Sequence, residues 1–165
     1  VNTAYTAMLY RKMYPNLRQD EAFDLWFQQQ AAERGIEVIG LETVKDQTYA
    51  LLDATSLKQQ AADLVCMLRN SEYVEQNSKK LNAMYRAADL KGMETLMLSD
   101  NICPMSAEQQ IALVDARNQR WLQKLPSIMA AKPSFIAVGC MHLVGKKGLL
   151  VGLQKLGYKV KPVLK

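Results

Sequence analysis

Between Ser134 and Gly148 the chain reads Ser-Phe-Ile-Ala-Val-Gly-Cys-Met-His-Leu-Val-Gly-Lys-Lys-Gly, and no other stretch leaves so few options for the fold around it. Ser134 to Val138 is short, apolar and preceded by Pro133, which cannot extend a helix, so it predicts a buried strand. Gly139 ends that strand. His142, the single histidine of the chain, then falls in the loop beyond the strand's carboxyl end, the rim where open α/β sheets bind their ligands. Gly145 and Gly148 lead into a helix of about two turns carrying Leu149, Leu150, Leu153 and Leu156, with Gly157 as its stop. Tyr158 to Val163 predicts a further strand.

A second strand-to-helix step lies upstream. Ile36 to Leu41 predicts a strand, Glu42 stands at its end, and Thr43 with Asp46 three residues on predicts a capped helix to about Asp53. Before it, the stretch to Tyr14 reads as helical and Pro15-Asn16 as a break. Asp20 then reads as the N-cap of a helix with Phe23, Trp26, Phe27, Gln30 and Ala31 on its stripe, closed by Gly35. A helical middle follows: Leu57, Ala61, Leu64, Val65 and Leu68 on one helix, Val74, Asn77, Leu81, Met84, Tyr85 and Ala88 on the next, and a short piece around Met93 to Leu98. Ser106 and Gln109 form a capping box opening a long helix with the stripe Ile111, Val114, Asn118, Trp121, Leu125 and Ile128. The expected fold class is α/β and helix-rich, with a small, mostly parallel sheet of few strands and a long helical insertion. Residues 1–165 read as a single domain or a fragment of one.

Composition narrows the classes. No apolar stretch approaches the roughly 20 residues that span a bilayer. All 16 acidic residues lie at or before Asp115, whereas Arg117 onward carries 10 basic residues and no acidic one. Such a third can attract anions, yet no stacking platform or nucleic-acid motif accompanies it, so nucleic acid is not expected as a partner. The simpler reading is solvated lysines paired with the acidic half. Cys66, Cys103 and Cys140 are widely spaced and odd in number, implying neither a zinc knuckle nor a disulfide framework. Cys66 reads as a small core residue, and Cys140 as a residue able to share a face with His142 if the chain there is extended. The chain begins at Val1, which fits a processed or excised product; localisation is open, and extracytoplasmic if a leader was removed.

Glu42 and His142 occupy equivalent places, each at a strand's carboxyl end before a helix. Converging on one rim, a carboxylate and an imidazole suit a divalent metal, or a base and ligand around a metal-bound water. Arg117 and Asn118 flank and interrupt an apolar stripe, where unpaired polar groups cost roughly 1–3 kcal/mol or more. They need partners, either structural or at the rim.

The motifs Gly40-Leu-Glu42-Thr43-Val-Lys-Asp46-Gln47, Asp115-Ala-Arg117-Asn118-Gln-Arg-Trp121 and Val138-Gly139-Cys-Met-His142-Leu-Val-Gly145-Lys-Lys-Gly148-Leu149, closed by Leu156-Gly157-Tyr158-Lys-Val160, resemble the TraB/GumN family in order and spacing. The same superfamily includes the Tiki membrane proteases and, more distantly, ChaN-like and erythromycin-esterase-like proteins. The resemblance is sharp over Ile36 to Gln47 and Arg117 to Val160. It implies an α/β fold whose two related halves each present a G-x-x-H loop, and for Tiki-like members metal-dependent proteolysis with manganese or cobalt. By position it makes His142 a metal ligand, Glu42 a ligand or general base, Arg117 a clamp on a carboxylate or oxyanion, and Asn118 an orienting donor. With only one histidine, the chain resembles the C-terminal portion of such a protein, its site incomplete without an N-terminal half. The leading expectation is therefore a portion of a metal-dependent, peptidase-like hydrolase acting on a peptide or other small substrate, with an oligomer as one route to completing the site. The alternative is a non-catalytic, ligand- or partner-binding member of the fold. A third reading makes Gly145-Lys-Lys-Gly148 an anion-binding loop at a helix N-terminus.

Overall fold

The computed structural model describes residues 2–16, 23–99 and 101–163. Helix α1 is Asn2–Met13, α2 Phe23–Glu33 and α3 Val44–Thr48, the last continued by a π turn over Tyr49–Asp53. Then come α4 (Leu57–Arg69), α5 (Ser71–Arg86), α6 (Leu90–Leu98) and α7 (Ala107–Gln110). A second π turn, Ile111–Asp115, runs straight into α8 (Ala116–Ala131), and α9 is Leu149–Lys155.

The helix signals act as local chemistry dictates. Thr43 Oγ1 accepts from Asp46 N–H while the Asp46 carboxylate accepts from Thr43 N–H, and Ser106 and Gln109 form the same reciprocal box. Gly157 takes φ +90° after α9, a left-handed conformation in which the Tyr158 N–H reaches back to Leu153 O. The N-cap expected at Asp20 lies outside the described residues.

The expected sheet is not there. Among the described residues there is no strand: the molecule is helical, not α/β with a parallel sheet. The runs Ile36 to Leu41, Ser134 to Val138 and Tyr158 to Val163 carry no helix, as their composition dictates, but do not exchange the backbone hydrogen bonds that make a ladder. Side chains hold them instead. Ile136 and Val138, two residues apart and so on one side of an extended chain, join Leu41 against the core of Trp121, Leu125 and Leu149. Phe135 is left 70% exposed with its ring 4.4 Å from that of Phe27. Lys124 Nζ donates to Leu41 O at 2.9 Å, and Lys132 pairs with Glu37 at 2.8 Å. β propensity describes a residue's fit to a pleated, half-buried surface, and a sheet forms only where a partner strand supplies that surface.

Cys66 is no isolated core residue. It is bonded to Cys103, with the Cα atoms 5.9 Å apart, which ties α4 to the segment before α7. The partners lie 37 residues apart in sequence, so no local spacing marks them. Asp63 on α4 also accepts from Gln109, a second link between the same elements. Gly152 lets α9 lie against α8, since a Cβ there would come within 2.3 Å of Leu122 Cδ1.

Candidate functional site

The sequence places Arg117 and Asn118 immediately after the π turn, in which the Ala116 N–H reaches Ile111 O, five residues back. A π turn inserts one residue into the helical register and re-aims the side chains beyond it. Arg117, Asn118 and Trp121 then share a face because they stand three and four residues apart. Glu42 arrives at the bend before the Thr43 cap, and His142 ends a single 3-10 turn, Cys140–His142, whose backbone folds back from His142 N–H to Gly139 O at 2.9 Å.

These four residues meet. Arg117 Nη2 donates to Glu42 Oε1 at 2.7 Å and Nε donates to Oε2 at 2.9 Å, a two-pronged ion pair with side chains 12% and 13% exposed. The remaining prong, Nη1, donates to Leu113 O in the π turn at 2.9 Å. The guanidinium carbon lies 4.9 Å from the centre of the Trp121 ring, which in turn lies 4.4 Å from the His142 ring.

Asn118, wholly buried, decides the state of the imidazole. Its Nδ2 donates to two carbonyls, His142 O at 3.1 Å and Lys147 O at 3.0 Å, so its Oδ1 is the atom left to face His142 Nδ1 at 2.7 Å. A carbonyl oxygen can only accept, which places the imidazole proton on Nδ1 and leaves the Nε2 lone pair free. His142 is 7% exposed. Burial, and after it the positive charge of Arg117, push its pKa down to about 4 against the opposing pull of Glu42. The ring is therefore neutral around pH 7.

Both oxygens of Glu42 accept from Arg117, whose positive charge stands beside them, and each guanidinium nitrogen donates one hydrogen bond, leaving one further N–H on each of Nη1 and Nη2. Among the described residues no three His, Cys, Asp or Glu side chains gather as ion ligands. The described residues by themselves do not fit a divalent ion, which takes three or more protein ligands in a closed or catalytic site. A cavity of about 630 Å³ opens between α1, α4 and α5 by Tyr5, Leu9, Leu68 and Glu75, and none of the four candidate residues lines it.

Cys140 is a free, half-buried thiol with no hydrogen bond to the imidazole among the described residues, because the turn is helical and not extended. The Gly145 to Gly148 loop is closed on itself: a Cβ at Gly148 would lie 2.3 Å from Val144 O and 2.4 Å from Leu143 O, carbonyls that repel an anion. Lys147 pairs with Asp115 at 2.7 Å. Trp121, read from sequence only as part of a stripe, turns out to contact both Arg117 and His142; its spacing one turn from Arg117 was the available signal.

Neither curated proteins nor solved structures yield a match to this chain. The family model described as TraB/PrgY/gumN matches residues 1–162, the helical middle included, and the chain belongs to the TraB/PrgY/gumN family.

Proposed function

We propose that this chain supplies the imidazole of a peptidase-like hydrolase site acting on peptides or other small substrates, with His142 Nε2 as the atom that meets the reacting water or ion. The observation that carries this reading is the state of His142: buried, neutral, held through Nδ1, and with no partner on Nε2 among the described residues. A pKa about 4 makes it a weak general base around pH 7, so its use is as a fixed acceptor that orients a water or holds a ligand. The grip of Asn118 on the far nitrogen is the support that ligating histidines have. A manganese or cobalt ion, which the family resemblance implies, would need ligands from polypeptide outside the described residues. The Cys66–Cys103 bridge supports an oxidising, extracytoplasmic setting.

One observation favours the non-catalytic alternative: Glu42, the carboxylate expected as base, is consumed by its ion pair. Peptide hydrolysis by the full-length protein, with manganese or cobalt supplied, separates the readings. We expect His142→Ala to lower the rate by roughly 100-fold, with Lys161→Ala as control. Cleavage that survives His142→Ala defeats the proposal, and no cleavage by the parent protein favours a binding role.

A further inference from the structure

We propose that Trp121 is a positioning residue for His142, itself held by an Arg117 guanidinium that Glu42 anchors, so that Glu42 serves the imidazole through two intermediaries and does not touch the reacting atoms. The proposal rests on the reading of His142 as the working group and assigns the residues behind it. Asn118 fixes one nitrogen of the ring, but a single hydrogen bond leaves an imidazole free to rock about that bond. The second constraint is the flat indole of Trp121, 4.4 Å from the imidazole centre.

The indole is itself held in an unusual way. Trp121 is 4% exposed, and its Nε1 is the one side-chain N or O atom shut off from solvent among the described residues that has no hydrogen-bond partner. No hydrogen bond therefore sets the angle of this ring. Its orientation comes from its packing against Leu125 and Leu149 and from the guanidinium lying over it at 4.9 Å. That guanidinium has all three of its nitrogens engaged, two by Glu42 and one by Leu113 O, so it cannot swing away while Glu42 is present. The chain of constraint runs from Glu42 to Arg117, to Trp121, to His142. Each Glu42 oxygen accepts one of the two bonds that hold the guanidinium in place.

In the full-length protein labelled with ¹⁵N-histidine, the Nδ1 proton of His142, the one histidine of these 165 residues, is assigned by its loss in His142→Gln. We expect that proton to be visible and slow to exchange in the parent protein and in Trp121→Phe, which keeps a flat ring. In Trp121→Leu it should exchange roughly tenfold faster, with helix content by circular dichroism unchanged. Glu42→Ala and Arg117→Ala should each speed exchange, and the double variant should exchange no faster than Arg117→Ala alone, because Glu42 acts only through Arg117. An Nδ1 proton as protected in Trp121→Leu as in the parent overturns the proposal. So does a Glu42→Ala effect that persists at full size in the Arg117→Ala background, and this second cycle decides the matter if Trp121→Leu fails to fold. The functional reading fails separately: hydrolysis that survives His142→Ala defeats it and leaves these spectra standing.

Discussion

Arg117 and Glu42 form a pair whose energetic weight shows when one member is removed. Taking away the guanidinium leaves a carboxylate 13% exposed with nothing to balance it, whereas a change at Lys161 disturbs only solvent-facing chain. Arg117→Ala should lower stability by roughly 2–4 kcal/mol in urea unfolding, and Lys161→Ala by less than about 0.5. His142 adds a pH signature. Its folded pKa of about 4 lies below the ordinary 6.5, so the unfolded chain binds the proton more readily. The contribution of His142 to stability is therefore full above about pH 6.5, falls as pH drops toward 4 by up to ~1.4 kcal/mol per unit, and changes no further below that. His142→Gln should flatten this slope, and a slope unchanged by the substitution would show that another group titrates. The sequence marked Arg117 by its place beside an apolar stripe and Glu42 by its place at the end of an apolar run before a capped helix. It did not mark the pairing, because Glu42 and Arg117 stand 75 positions apart and a carboxylate beside a metal reads the same in sequence as one beside an arginine.

Elements were legible where their cause is local. The capping boxes at Thr43 and Ser106, the glycine stop at Gly157 and the helical middle come from residues within one turn of each other. The sheet failed because a ladder depends on a neighbour that no single run encodes, and Ser134 to Val138 spends its apolar side on α8 and α9 instead. The disulfide was illegible for the same reason. Closing a loop of 37 residues removes chain entropy worth roughly 3–4 kcal/mol, so Cys66→Ser with Cys103→Ser should destabilise by up to that amount. Since α7 continues through the π turn into α8, the loss should appear as faster amide exchange in residues 107–121; exchange unchanged there would show that the Asp63–Gln109 link suffices. Gly152→Val is the matching test of helix packing. A side chain forced within 2.3 Å of Leu122 should cost roughly 1–3 kcal/mol by thermal or urea unfolding, while Gly152→Ala should cost less.

Among the described residues the acidic and basic stretches meet at three ion pairs, Glu37 with Lys132, Glu42 with Arg117 and Asp115 with Lys147, while the chain as a whole keeps a net charge of +5. Among the described residues no helix is long and apolar enough to cross a membrane. That distribution of partners also sets what the 165-residue chain can do with a metal. One imidazole nitrogen is free, Glu42 is held in its ion pair, and no cluster of three ion ligands occurs among the described residues, so manganese, cobalt or zinc should bind the chain weakly and below stoichiometry. Arg117→Ala should not tighten that binding by titration calorimetry, because it loosens the ring that carries the free nitrogen. Tight, one-to-one binding by the unaltered chain, lost in His142→Ala, would mean that Glu42 leaves Arg117 for the ion and that the ion pair is a resting arrangement of a metal site.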